Sequence, residues 1–302
     1  IRLIQKMRIL EDKGNTIIED ITDFDLMQTL ECGQCFRFYK QQEEDYVIVA
    51  YNHLLHIKQE DKRLIFFDCD RENVEGIWIP YFDLDRDYGA IKEYLLKKDN
   101  KLKEAIEEKN GVRILNQEFY ETLISFIISQ NKNIPQIKQI VERISENYGT
   151  YLGEVNGKKY YSFPNEKALG KLTEEDFREM KTGFRAPYLF DASQKLSNGE
   201  ISKEKLSGLS EEDTRSKLIE IKGVGDKVAN CVMLFSLGFR EAFPIDVWIK
   251  RIMETVYFSC EDTSKDKIKE FAVNRFGEYG GYAQQYLFYF GKENKLLSLI
   301  HI

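Results

Sequence analysis

Between residues 15 and 80 this chain never sustains a helical period, and from residue 117 onward it sustains little else. The first stretch consists of short runs rich in β-branched and aromatic residues: NTIIEDI, CFRFYK, DYVIVAY, HLLHIKQ and RLIFFDC. Polar turns such as QQEED, YN and EDK separate them. Connections this short join neighbouring antiparallel strands, so a meander is expected. After Pro80, DYGAIKEYLLKK and NKLKEAIEEKN read as helices, with Gly111 placed to cap the second. QEFYETLISFIISQ is an apolar helix ending near Gln130. The next, NIPQIKQIVERISENYG, carries Pro135 in its first turn, sets Ile137, Ile140, Val141 and Ile144 on one face, and stops at Gly149. Further helices fit 174–181, 185–197, 201–207, 211–220, 226–237, 247–258, 263–276 and 279–290. A sheet followed by helices is an α+β arrangement, with the junction near 105–118.

At 302 residues the chain can bury a substantial core and divide into two or three domains. Its longest apolar runs, such as LISFII and NCVMLF, fall far short of the roughly 20 residues that span a bilayer, so no membrane role is expected. Five cysteines (Cys32, Cys35, Cys69, Cys231, Cys260) form no regular framework, which suits free thiols in a reducing cytoplasm. Cys32 and Cys35 have the spacing of a redox pair or of half a zinc site, but no second pair completes a zinc site.

The net charge of −7 argues at first against nucleic acid, because Lys and Arg drive binding to phosphate. The acidity is confined to the first part. Residues 1–120 carry 18 basic and 25 acidic side chains, and residues 121–302 carry 26 of each. Within 221–251, Lys222, Lys227, Arg240, Lys250 and Arg251 outnumber Asp226, Glu241 and Asp246.

That locally positive stretch reads IKGVGDKVANCVMLFSLGFREAFPIDVWIKRI. Apolar residues at 218, 221, 224, 228, 232 and 235, with Gly223 and Gly225 between, describe helix, tight turn, helix. Glycines permit positive φ and close backbone approach, and the second helix opens with unpaired N–H groups and the positive end of its dipole. Such a nest suits a phosphate oxygen, or a monovalent or divalent cation bridging carbonyls to a phosphate. On the turn alone, Gly223-Val224-Gly225 is equally well a simple joint, with Lys227 solvated. Asp246 stands at the N-cap of the helix from Val247, a role worth about 1 kcal/mol. It can also face Lys227 if the two helices pack side by side.

IKGVGDKVANCV followed by FPIDV resembles the helix-hairpin-helix motif, Gly/Pro-rich loop and aspartate of a DNA glycosylase superfamily, and among its members the 8-oxoguanine DNA glycosylases above all. CGQCFRF (32–38) resembles that family's N-terminal pocket segment, FIISQNKNIPQI (126–137) its asparagine-bearing loop, GFRAPYL (183–189) its wedge, and YAQQYLF (282–288) its final pocket helix. The resemblance implies a TBP-like antiparallel sheet domain at 1–108 and two helical subdomains. One comprises 109–118 with 222–302 and holds the second half of the hairpin and the aspartate; the other, 119–221, holds the DNA-intercalating loops. It also implies a monomer acting on double-stranded DNA that contains 8-oxoguanine, without a required cofactor, in the cytoplasm or on the nucleoid of a bacterium.

Excision of a base requires the nucleotide to leave the stack. By resemblance, Asn131 fills the vacated space and Phe184 supports the kink. Gly223, Val224 and Gly225 hold phosphate, and Lys227 attacks C1′ to form a Schiff base, which permits β-elimination. Asp246 stabilises positive charge developing on the sugar. The base pocket falls on Gly33, whose carbonyl reads N7–H, on Gln284 at the Watson–Crick edge, on Cys231 and Phe288 at the ring faces, and on Pro244. Arg185 keeps a DNA-contacting arginine. Gln136 replaces an arginine that reads the opposite cytosine, so the preference for that base should relax. Trp248 replaces a histidine expected on phosphate. Endonuclease III relatives usually carry a four-cysteine iron–sulfur cluster near the C-terminus, where this chain has only Cys260 beyond Cys231. Alkylated-base glycosylases typically lack the lysine. A non-catalytic helix-hairpin-helix DNA-binding protein would have no use for Lys227 with Asp246.

Overall fold

The computed structural model describes residues 7–293. Strands Arg8–Asp12 (β1), Asn15–Glu19 (β2), Phe38–Gln42 (β3), Asp45–Ala50 (β4), His53–Glu60 (β5) and Arg63–Phe67 (β6) form one antiparallel sheet in the order β1-β2-β6-β5-β4-β3. The expected meander holds from β3 to β6. β2 departs from it, pairing with β6 while the chain crosses to β3 through a short helix, Leu26–Glu31, capped by the Asp25 side chain. β1, also unforeseen, joins β2 through Lys13 and Gly14, both at positive φ (51° and 86°), as a tight hairpin requires.

β4 is apolar without alternation because both of its faces are covered. Tyr46 and Ile48 join Leu55, Ile57 and Phe66 against Leu26, Leu30, Trp78 and Phe82. On the opposite face Val47 and Val49 meet Tyr160. That tyrosine comes from a second hairpin, Tyr151–Val155 (β7) with Lys158–Tyr161 (β8), inserted among the helices and not expected from the pattern. The sheet is thus held from both sides by segments far apart in the chain.

The main core lies among the helices Phe119–Ser129, Ile134–Tyr148, Ala186–Ser197, Asp226–Val232, Val247–Tyr257, Lys265–Phe276 and Gly280–Glu293. Ile137, Ile140, Val141 and Ile144 are buried as their spacing requires. The helix expected over 226–237 is regular to Val232 and continues through a wider turn, Met233–Leu237. Gly111 is not a helix cap. The preceding helix, Lys103–Glu108, ends before it, and the Gly111 carbonyl accepts the Asp25 N–H at 2.9 Å. A Cβ there would lie 2.2 Å from that of Asp25, so the glycine allows the helical part to close on the sheet.

Candidate active site

The hairpin turn is braced from outside. Gly223 has φ +79°, and a Cβ on it would enter the Tyr188 ring at 2.3 Å. The Lys222 N–H donates to Asp191 at 2.8 Å, from the same bracing helix, Ala186–Ser197. Gly225 caps the second helix without a side-chain bond, and nothing lies within 4 Å of where its Cβ would be. Val224 is buried. One glycine of the pair is therefore packed and the other opens to solvent, which leaves the N–H groups of the next turn facing outward.

Lys227 sits in that first turn. Its Nζ lies 3.4 Å from Ser129 Oγ and 5.1 Å from the centre of the Phe126 ring. Cys231 follows one turn later on the same face. Asp246 caps Val247–Tyr257, its Oδ1 accepting the Ile249 N–H at 2.7 Å. Lys227 and Asp246 do not form an ion pair, but they line one small cavity of about 50 Å³ together with Gly33, Cys231, Pro244, Gln284 and Phe288. Four segments distant in sequence meet there.

Each wall is fixed by its own chemistry. Gly33, at φ +93°, lies on a turn pinned by buried Gln34, whose amide donates to the carbonyls of Thr29 (2.8 Å) and Arg113 (2.7 Å) and accepts from the Leu115 N–H (2.9 Å). Gln284 donates to the Pro244 carbonyl at 3.4 Å, while its Oε1 is buried without a partner. A buried acceptor left open costs free energy until a donor meets it. Burial, with the Asp246 charge adding and Lys227 opposing, pushes the Cys231 thiol up to about 11, so it is a neutral, apolar wall near neutral pH. Burial likewise raises Cys32 to about 12, and the buried thiols of Cys32 and Cys35 donate to the carbonyls of Thr29 and Leu30. Neither behaves as a reactive pair.

Phe126, Phe235 and Gln285 complete the cavity and were not among the expected residues. Phe235 stacks on Phe126 at 5.5 Å. Its position was readable: 227, 231 and 235 are spaced by four and share one helical face. Phe126 and Ser129 likewise share a face of the helix that runs into the asparagine loop.

The expected DNA-contacting residues are dispersed outside this cavity. Asn131 is exposed at φ +51°, a left-handed conformation that asparagine tolerates. Phe184 is 51% exposed and Trp248 47%. Two placements differ from expectation. Arg185 is buried, its guanidinium stacked 4.2 Å from the Phe184 ring centre and bonded to the carbonyls of Thr182 and Gln130, so in this structure it holds the asparagine loop. Gln136 closes a capping box with Asn133, accepting its N–H at 3.3 Å, because a helix starting at Ile134 leaves amides that need partners. Among the described residues no group of His, Cys, Asp or Glu is arranged to hold a metal ion, and no helix is long and apolar enough to cross a membrane.

A sheet joined to a helical body, with lysine and aspartate at one cavity beside a glycine hairpin, is the architecture of a base-excision DNA glycosylase. Residues 124–277 match the model of HhH-GPD superfamily base excision DNA repair proteins, and residues 16–123 that of the 8-oxoguanine DNA glycosylase N-terminal domain. The chain belongs to the 8-oxoguanine DNA glycosylase branch of that superfamily. A probable N-glycosylase/DNA lyase of Methanothermobacter thermautotrophicus is 30% identical over 76% of this chain and 77% of its own. Two solved structures superpose over nearly the whole chain. MBOgg1 in complex with a low-affinity DNA ligand is 44% identical, with TM-score 0.92 over 96% of this chain and 100% of its own. The Clostridium acetobutylicum 8-oxoguanine glycosylase/lyase, bound to duplex DNA with cytosine opposite 8-oxoguanine, is 40% identical, with TM-score 0.91 over 95% and 98%.

Proposed function

We propose that this chain excises 8-oxoguanine from double-stranded DNA and nicks the resulting abasic site, as a monomer. The observation that carries the reading is the convergence of Lys227, Asp246 and the five base-pocket residues on one cavity. The extruded base enters between Cys231 and Phe288, its N7–H toward the Gly33 carbonyl and its Watson–Crick edge toward the open Oε1 of Gln284. Phe288, the half-buried wall that stands over Gly33, is the side chain the entering ring lies against.

The Lys227 amine then attacks C1′. The C–N bond forms as the glycosidic bond breaks, and the base leaves with its electron pair and takes up a proton. The Asp246 carboxylate stabilises the cationic sugar. The nitrogen then loses a proton, the C1′–O4′ bond breaks with O4′ taking up a proton, and the resulting iminium acidifies C2′, whose proton loss expels the 3′ phosphate by β-elimination. No cofactor enters these steps. A cation between the 223–225 carbonyls and phosphate remains part of the proposal, as does the grouping of 109–118 with 222–302 around 119–221, and a reducing cytoplasm suits the free thiols. Asn131 and Phe184 fill and wedge the duplex, and Trp248 flanks it.

Asp246 has two duties that substitution can separate. Asp246→Asn keeps a good cap and should melt near wild type, yet slow single-turnover excision by about 10²-fold. Asp246→Ala should lose about 1 kcal/mol of stability as well. Excision by Asp246→Asn at the wild-type rate would remove the charge from the mechanism.

Gln136, neutral and occupied in its capping box, offers the opposite base little discrimination. Excision rates on 8-oxoguanine paired with each of the four bases should lie within about tenfold of one another, since a lost charged hydrogen bond is worth about 1.5–3 kcal/mol. A steep preference for cytosine refutes this.

A further inference from the structure

Beside the base cavity, and sharing Lys227 with it, lies a wider cleft of about 440 Å³. Its walls are the start of the hairpin's second helix, the 243–245 loop and the start of the helix Lys265–Phe276, and its charged side chains are Arg215, Asp226, Lys227, Lys265, Asp266 and Lys269. Four positive charges face two negative ones in a chain whose net charge is −7.

Two of the basic groups have internal partners, Arg215 in acidic side chains and Lys227 in Ser129, and two do not. Arg215 is held at 2.8 Å by Glu211 and approaches Asp226 at only 3.9 Å. Lys265 and Lys269 have no ion pair among the described residues, although they sit one turn apart, where like charges repel. Two unpaired lysines at that spacing, beside the outward-facing N–H groups that follow Gly225, lower their mutual repulsion when an anion lies between them. The cleft shares Lys227 with the base cavity, so an anion held in it can belong to the same strand as the extruded nucleotide.

We propose that this cleft is a second phosphate track: Lys265 and Lys269, oriented toward the hairpin with Arg215, hold a backbone phosphodiester of the damaged strand adjacent to the one at the 223–225 turn. The inference rests on the reading of this chain as an enzyme of duplex DNA and adds a positioning surface to it. Neutralising that phosphate extends the grip on the strand beyond the flipped nucleotide and fixes the sugar's position along the strand relative to Lys227.

The test is the salt dependence of binding to a duplex in which a 2′-fluorinated 8-oxoguanosine resists excision. Each phosphate contact contributes about 0.9 to the slope of log K against log salt. Lys265→Gln with Lys269→Gln should therefore lower the slope by about 0.9, the value of one phosphate, whereas the paired Lys→Arg changes should keep it. Lys97→Gln, whose lysine pairs with Glu93 and does not line the cleft, serves as a control and should keep it too. A scan that replaces one phosphate at a time by methylphosphonate supplies the second reading. Wild type should lose affinity at particular positions of the damaged strand, and the double Gln variant should be blind to one of them. An unchanged slope overturns the proposal, as does a methylphosphonate profile identical to wild type. Relief of binding by millimolar inorganic phosphate without any methylphosphonate coupling assigns the cleft to free phosphate and overturns the strand assignment. Failure of wild type to prefer lesion over undamaged duplex would instead refute the glycosylase reading, and the slope comparison on undamaged duplex would still decide the cleft.

Discussion

Lys227→Gln should abolish borohydride trapping on an 8-oxoguanine duplex and lower strand nicking by roughly 10³-fold or more, while lesion-DNA affinity stays within a few-fold of wild type. Glutamine keeps most of the length of lysine and can still reach Ser129 Oγ and lie against Phe126, so the wall of the cavity survives the change. What is lost is the only amine that lines the cavity among the described residues. Phosphate binding at the turn depends on backbone N–H groups, which the substitution does not touch. Equal loss of trapping and of affinity would mean that Lys227 serves binding alone. Persistent trapping would move the nucleophile elsewhere.

Gly223→Ala should cost about 2–5 kcal/mol of stability and weaken DNA binding together. A φ of +79° costs a residue with a Cβ about 1–2 kcal/mol, and the methyl would enter the Tyr188 ring at 2.3 Å, an overpacking cost of about 1–3 kcal/mol. Tyr188 cannot retreat freely, because its helix is tied to the same turn through Asp191 and the Lys222 N–H. Gly225→Ala is the informative companion. That position has φ −106° and open space around it, so the fold should tolerate alanine, and any loss of DNA affinity there reports directly on approach of the phosphate. Thermal melts with and without duplex DNA separate the two. Wild-type stability in Gly223→Ala would show that Tyr188 is not a rigid brace.

The helical half was largely legible, because its apolar positions recur with a clear period and its starts carry caps such as Asn133 and Asp246. The sheet was legible strand by strand but not in its order. Nothing local in Asn15–Glu19 states that its partner is Arg63–Phe67 rather than the next strand; that pairing is decided by burial of Ile18 against Leu64 and its neighbours. The Tyr151–Tyr161 hairpin escaped notice because half of its residues are polar and its purpose, covering Val47 and Val49, lies 100 residues away. Among site residues, Lys227, Asp246 and Gln284 were readable from motifs as candidates, and the structure brings them to one cavity. Residues that work by being held in place were not readable in this way. Gln34 is a polar residue whose hydrogen bonds run to 29, 113 and 115, and no spacing announces it. Arg185 and Gln136 stood at expected positions but spend their side chains on the loops that carry their neighbours.

Gly33 meets the cavity with backbone only, and its turn is anchored by the amide of Gln34. A contact made by a carbonyl cannot be erased by exchanging the residue that bears it; it can only be displaced. Under the base contact proposed for Gly33, selection for a different lesion has no side chain to act on at that point and must work through the anchor. Shortening or lengthening the residue at 34 would shift the reading oxygen by fractions of an ångström and change which bases fit, much as moving a ruler's zero changes every measurement taken from it.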